Sequence, residues 1–323
     1  MKGAKIMALN IVKERWTSKV LELTIGTGDK AVKVGGDSTL PYLQFEGAVP
    51  NRPVVAIEVS DVEPTEWPEI LKAPWEGVLN NPPEWAKKAV EYGAKVIALK
   101  LDSAHPDKGA RTPEEVAATA KAVGDAVDVP LIIIGCGVAE KDAEIFPAVA
   151  EALNGKNCLI GCAAEENYKS IVASAMVNGH SVIASSPLDI NLCKQLNILI
   201  TEMNLPADRI AIDPLIGALG YGIEYAYSIM ERSRLGALAG DKMLAMPIIC
   251  FVGQEAWKAK EAKDDESPEG YDWGAQANRA ILWEVMTSST LLQAGGHIFV
   301  MRHPESMKQF ELHVDKISVS NAY

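Results

Sequence analysis

Eight short apolar runs punctuate the chain, and each is followed by a segment of helical length. The runs are VVAIEV (54–59), VIALKL (96–101), LIIIGC (131–136), CLIGCA (158–163), SVIASS (181–186), IAID (210–213), PIICFV (247–252) and HIFVMR (297–302). None alternates strictly between apolar and polar residues. Strands covered on both faces read this way, and parallel sheets supply such strands. Strict alternation of strand and helix makes an α/β protein. The count of units predicts a (β/α)8 barrel over residues 54–323. A doubly wound open sheet is the alternative, but no GxGxxG follows the first run. Residues 1–53 read as an N-terminal extension, in which GTGDKAVKVGG forms a hairpin turn.

The intervening segments carry helix punctuation. PPEWAKKAVEYGA opens on prolines and stops at Gly93. In RTPEEVAATAKAVGDAV, Thr112 is the expected N-cap, Pro113 the first helical residue, and Glu114 and Glu115 face the helix dipole. EKDAEIFPAVAEALNG stops at Gly155, with Pro147 a candidate kink.

Charge and cysteine usage narrow the function classes. A net charge of −12 and the lack of a basic run argue against a nucleic-acid surface. No run of about 18 apolar residues is present, so no membrane-spanning helix is expected. The first residues lack a signal-peptide core, and a cytoplasmic protein is the default reading. The five cysteines are widely spaced, which predicts no disulfide framework. Cys158 and Cys162, four apart, are expected on one face of a strand as small buried hydrophobes. Two thiols are too few for a metal site.

In such a barrel, chemistry belongs at the carboxyl ends of the strands. Those ends carry Glu58 and Asp61; Asp102, Ser103 and His105; Gly135, Cys136 and Gly137; Glu165, Glu166 and Asn167; Ser185, Ser186, Asp189 and Asn191; Asp213; Gly253 and Glu255; and Arg302 and His303. Any one of them has a bland reading: strand ends meet water, and carboxylates suit turns and helix starts. The ring as a set is the stronger signal. The stretch IDPLIGALGYGIEY adds Gly217, Leu219, Gly220, Tyr221 and Gly222. Several glycines at one strand end suggest room for a bulky ligand, with a turn as the alternative use. Two loops, after the first and seventh strands, are far longer than the usual 2–6 residues or so. They carry Trp67, Trp75, Trp257 and Trp273, read either as exposed partner contacts or as packing for the loops' own bases.

The blocks LPYLQFEGAVPNRPVVAIEVSD, VIALKLDSAHPD, PLIIIGCGVAEKDAE, AAEENYKSI, GHSVIASSPLDINLCKQLNIL, IDPLIGALGYGIEYAYSIMERSRLGAL and WGAQANRAILWE resemble one family. It is the small (delta) subunit of the corrinoid iron–sulfur protein that serves acetyl-CoA synthase/carbon monoxide dehydrogenase. The resemblance runs from about Gly35 to His303. It implies a heterodimer with a large subunit that carries the 4Fe–4S cluster and a cobalamin domain. The corrinoid then lies between that domain and the carboxyl face of this barrel. A methyltetrahydrofolate methyltransferase supplies the methyl group, and acetyl-CoA synthase receives it. By this resemblance the cofactor-binding positions are Asp102, Ser103, His105, Gly137, Ser185, Ser186, Asp189, Asn191, Asp213, Gly217, Leu219, Gly220 and Tyr221. No catalytic residue and no metal ligand is expected on this chain. The alternative is a pterin-dependent methyltransferase of the dihydropteroate-synthase-like barrel class, which IDPLIGALG also resembles.

Overall fold

The computed structural model describes residues 12–319. An antiparallel hairpin comes first, formed by β1 (Glu22–Ile25) and β2 (Val32–Gly35). Eight parallel strands follow: β3 (Val54–Ser60), β4 (Val96–Lys100), β5 (Leu131–Ile134), β6 (Leu159–Ala163), β7 (Ser181–Ser185), β8 (Ile210–Asp213), β9 (Ile249–Cys250) and β10 (Ile298–Met301). Their order is β8-β7-β6-β5-β4-β3-β10-β9. A parallel bridge between Ile212 and Ile248 joins the two ends and closes the barrel.

The eight longest described helices surround it: α1 (Pro82–Glu91), α2 (Pro113–Ala126), α3 (Ala139–Ala152), α4 (Tyr168–Asn178), α5 (Ile190–Glu202), α6 (Ile223–Leu238), α7 (Gln276–Gln293) and α8 (Pro304–Ile317). Their starts follow the sequence punctuation. Thr112 accepts from the Glu115 N–H while the Glu115 side chain accepts from the Thr112 N–H, a reciprocal cap. Pro147 sits inside α3 without breaking it.

Two apolar layers explain why the strands lack alternation. Val55, Ile57, Leu99 and Ile133 face the helices, while Val54, Ala56, Ala98 and Ile132 face the barrel axis. Both sets are buried, so neither face is free to be polar. Cys158 and Cys162 do not share a face as expected. Cys158 packs with the helix-facing layer, and Cys162 packs against the axial one. The β6–β7 register shifts between Ile160 and Ala163, which resets the alternation between the two cysteines.

The hairpin plugs the amino end of the barrel. Its Leu23, Ile25 and Val34 join the axial layer. Buried charge locks the following segment in place. The Asp37 carboxylate lies 2.8 Å from His297 Nε2 and 3.3 Å from Arg234 Nη1. His297 Nδ1 accepts from the Ile248 N–H at 3.0 Å, so Nε2 carries the proton given to Asp37. Arg234 also donates to the carbonyls of Gly295 and Thr39. All three side chains are almost fully buried. Asp37→Ala would strand the Arg234 guanidinium in an apolar site, and the expected loss of stability is about 3–5 kcal/mol. Urea denaturation measures it; a loss under ~1 kcal/mol, as for a surface pair, would show that Asp37 does not anchor the charge.

Candidate functional site at the barrel mouth

The carboxyl end of the barrel divides into two unlike halves. Over β3, β10 and β9 it is filled. Arg302 donates through Nε and Nη2 to Glu58 Oε1, at 3.0 and 2.7 Å. Its guanidinium stacks over Trp67, 4.9 Å from the ring centroid. Glu284 of α7 accepts the backbone N–H groups of Arg302 and His303, at 2.6 and 3.3 Å. The Trp257 ring stacks on His303. Gly253 is glycine because a Cβ there would lie 2.7 Å from Arg302 Cγ.

Over β5 to β8 the mouth is open. A cavity of about 340 Å³ is lined by Lys100, Gly137, Asp142, Cys162, Asn167, Ser185, Asp213 and Gln254, with Ile134, Leu215 and Phe251 among its apolar walls. Asp213 ends β8. Its Oδ2 accepts from the Ser185 hydroxyl at 2.7 Å, and its Oδ1 accepts from the Leu215 N–H at 3.0 Å. Asp142 lies in the first turn of α3 and reaches back to the end of β5. There it accepts the N–H groups of Cys136 (2.7 Å) and Gly137 (3.2 Å). A Cβ at Gly135 would sit 2.3 Å from Asp142 Oδ1, so the glycine is what seats this carboxylate. Asn167 accepts from the Ala164 N–H at 2.8 Å and thereby fixes the turn after β6.

The electrostatics of this half follow from burial. Asp213 is pushed up to about 6, because burial outweighs the donors Ser185 and Leu215. Burial also raises Asp142, against the hydrogen bonds it accepts at Cys136 and Gly137. The Cys162 thiol is driven far above its ordinary range by burial and then by the nearby Asp213 and Asp142 carboxylates. It is therefore a neutral wall group and no nucleophile at neutral pH.

The sequence-predicted positions separate into groups. Gly137, Ser185 and Asp213 line the cavity. Ser186 lines a smaller neighbouring recess with Glu165, Glu166 and Gln195. Asp102, Ser103 and His105 sit in the adjoining sector. Asp102 faces Ser60, Lys100 and Lys108, and Ser103 binds both oxygens of Asp61 through its N–H and hydroxyl. Asp189 is the N-cap of α5, accepting from the N–H groups of Asn191 and Leu192, and the Asn191 side chain is exposed.

The glycine-rich loop has its own internal logic. A Cβ at Gly217 would lie 2.3 Å from the Tyr221 carbonyl oxygen. Gly220 and Gly222 have φ of +75° and +89°. The turn itself thus requires these glycines. The remaining residues tie the loop down: the Leu219 N–H donates to Thr287, and the Tyr221 hydroxyl donates to Glu261. Of the loop tryptophans, Trp67, Trp75 and Trp257 are buried, which removes them as partner contacts; Trp67 and Trp75 pack on Trp85. Trp273 is half-buried beside Arg279.

Sequence reasoning missed Lys100, Asp142, Phe251 and Gln254. Lys100 had a usable signal, being a charge set inside the apolar run VIALKL. Asp142 had none, since an acid in a first helical turn reads as a dipole partner. Among the described residues, no group of three or more His, Cys, Asp or Glu side chains is placed to hold a metal ion.

Because Asp213 holds its proton more tightly folded than unfolded, it adds stability in full below its ordinary value of 3.8 and loses that contribution as pH rises through about 6. Asp213→Asn removes the titration. The variant should gain on the wild type by about 2–3 kcal/mol between pH 4 and pH 7. Urea midpoints of both proteins at the two pH values report the difference. A constant difference would mean that Asp213 is not raised.

The chain matches the family model described as CO dehydrogenase/acetyl-CoA synthase delta subunit over residues 22–311. It is 38% identical over 316 residues to acetyl-CoA decarbonylase/synthase complex subunit delta 1 of Methanosarcina thermophila, covering 94% of this chain and 71% of that one. It is 37% identical over 290 residues to the delta subunit of Methanocaldococcus jannaschii, covering 88% and 69%. Among solved structures, dihydropteroate synthase of Xanthomonas albilineans superposes with a TM-score of 0.58 at 13% identity, over 93% of this chain and all of that one. The Thermus thermophilus enzyme gives 0.56 at 13% identity, over 92% of this chain and all of that one. Those two likenesses show a shared barrel fold. The sequence match, spanning hairpin, barrel and mouth, shows that the chain belongs to the CO dehydrogenase/acetyl-CoA synthase delta subunit family.

Proposed function

We propose that this chain is the cluster-free subunit of a two-subunit corrinoid iron–sulfur protein. In this reading its barrel mouth covers one side of a cobalamin held by the large subunit, which also carries the 4Fe–4S cluster. A methyltetrahydrofolate methyltransferase and acetyl-CoA synthase/carbon monoxide dehydrogenase are the donor and acceptor partners, and the cytoplasm is the compartment. The coarser statement, a subunit of an acetyl-CoA decarbonylase/synthase system, rests on the family match. No described helix is long and apolar enough to cross a membrane.

The observation that carries the reading is the form of the open half-mouth. A cavity of about 340 Å³ cannot enclose a corrin macrocycle, which suits a shared cofactor lying across the rim. The segments that follow β7 and β8 expose apolar groups on which such a ring would rest, and Leu215 among them lines the cavity. Leu188, Leu215 and Tyr221 are 43%, 43% and 49% exposed. Both leucines have positive φ, 37° and 53°, an uncommon conformation for a branched residue. They are held there by the hydrogen bond from the Leu188 N–H to the Pro214 carbonyl and by Asp213 on the Leu215 N–H. Backbone strain held by a rigid surround is a feature of ligand-bearing loops. Ser185, Asn167 and Gln254 then offer hydrogen bonds to the amide fringe of the ring, and the open space at Gly137 leaves room for it. When bound, the corrinoid supplies the cobalt that carries the methyl group. This chain orients the ring and shields it from water.

The test is co-expression with the large subunit. Leu188→Asp with Leu215→Asp places charge on the rim at positions whose side chains are already exposed. Corrinoid occupancy of the purified complex should drop at least about tenfold, as apolar contact is replaced by desolvated carboxylates, while the melting temperature of the isolated chain stays within a few degrees. Unchanged occupancy would move the corrinoid off this rim.

A further inference from the structure

We propose that Arg279 is a positioning residue for the corrinoid rim: acting through the loop between β9 and α7, it fixes where the Tyr221 ring stands. The proposal rests on the rim reading and names what holds one side of that rim in place.

The loop between β9 and α7 cannot shape itself. It carries a short helix, Lys260–Lys263, followed by the segment DDESPEGYD (264–272), which is exposed at every residue but Ser267. That segment has five acids and no base, so it does not fold by pairing its own charges. The first turn of α7 supplies the shape instead. The Arg279 guanidinium donates through Nε to the Glu261 carbonyl and through Nη2 to the Asp264 carbonyl. Through Nη1 it donates to the carbonyls of Trp273 and Gly274, at 3.3 and 2.8 Å. It also lies over the Trp273 ring, 5.2 Å from the centroid. Residues 261 and 264 precede the exposed tip of the loop, and residues 273 and 274 follow it. One planar fork therefore gathers both ends. Gln276, three residues earlier on the same side of α7, adds a bond to the Lys263 carbonyl at 2.8 Å. A lysine could not replace this fork, because an ammonium is a point charge with no plane to stack and no divergent donors. That is the use the chain makes of the motif WGAQANR.

The clamped helix reaches the rim. The Tyr221 hydroxyl donates to Glu261 Oε2 at 2.9 Å and accepts from the Lys260 N–H at 3.2 Å. Glu261 thus links the two ends of the chain of contacts, its carbonyl on Arg279 and its carboxylate on Tyr221. Among the described residues, these are the hydrogen bonds that the Tyr221 side chain makes. Its ring is 49% exposed and its backbone stands between two glycines of positive φ, so neither burial nor a stiff neighbour fixes it. Cutting the tether frees the ring to change rotamer. A platform that must be ordered when the ligand arrives holds that ligand less tightly.

The experiment compares the co-expressed two-subunit complex with the isolated chain. In the complex, Arg279→Lys and Tyr221→Phe should each speed corrinoid loss on dilution, followed by absorbance, by about three- to tenfold, the weight of one hydrogen bond. Tyr221→Phe keeps the ring and removes only its tie. The double variant should lose corrinoid no faster than the worse single one, since both changes cut the same tether. In the isolated chain, Arg279→Lys should speed cleavage by glutamyl endopeptidase after Glu266 and Glu269 at least about fivefold, with the melting temperature within a few degrees of wild type. Unchanged corrinoid loss in Tyr221→Phe, additive effects in the double variant, or unchanged cleavage of Arg279→Lys would overturn the proposal. Tyr221→Phe removes one half-exposed oxygen and keeps the test open should Arg279→Lys fold poorly. The Leu188→Asp, Leu215→Asp variant separates the two readings. If it keeps its corrinoid, the rim is wrong and this proposal falls with it. If it loses the corrinoid while Tyr221→Phe and Arg279→Lys retain theirs, the rim stands and Arg279 does not position it.

Discussion

A parallel sheet closed on itself has no edge, and a barrel of this size has no room for water along its axis. Polar chemistry is left with the two ends. Here the ends are treated in opposite ways. The amino end is sealed by the β1–β2 hairpin and by a buried Asp37–His297–Arg234 cluster that ties the segment after the hairpin to the start of β10. The carboxyl end is half sealed by Glu58, Arg302 and Glu284, and half left as a cavity. Each feature of the mouth depends on this closure, because it brings β8 and β9 together and sets Phe251 opposite Asp213.

Much of the architecture was legible because its signals are local. A run such as VVAIEV is buried at every position in the structure, and that is why it lacks alternation. Thr112, Pro113 and Glu115 form the helix start that their order suggests. The same locality explains the errors. Period-2 reasoning put Cys158 and Cys162 on one face, but the register shift that separates them depends on how β6 pairs with β7, a contact between distant segments. The tryptophans of the long loops read equally well as exposed or buried. Trp85, on the helix that directly follows the loop, decides the matter for Trp67 and Trp75 by packing against both.

The site shows the same division more sharply. Asp213 and Ser185 were visible as strand-end polar residues, and they meet through a 2.7 Å hydrogen bond. Asp142 was not visible, since its role comes from a turn that folds the end of β5 back over the start of α3. The glycines after β8 were visible but open to two readings. Steric room for a ligand and steric room for a backbone carbonyl leave the same residue in the sequence. At Gly217 the occupant is the Tyr221 carbonyl, 2.3 Å from where a Cβ would stand. Asp189 likewise looks like a ligand group until the two N–H groups of its own helix are counted.

Glu58 and Asp213 make the most informative comparison. Both lie at inward-facing positions near the carboxyl ends of their strands, 2% and 1% exposed. Glu58 is neutralised by Arg302, and the volume around the pair is packed by Trp67 and the α7 carboxylate. Asp213 is met by a hydroxyl and an N–H instead, and it lines the cavity. Opening the first half to a ligand would mean breaking a buried ion pair, at a cost of about 3–5 kcal/mol. Neutral hydrogen bonds can be supplemented without being broken, because the acceptor oxygens keep free lone pairs. A ligand entering the β5–β8 half would for that reason leave its hydrogen bonds intact, and an arginine moved into that half would be expected to reproduce the sealed pair of the other.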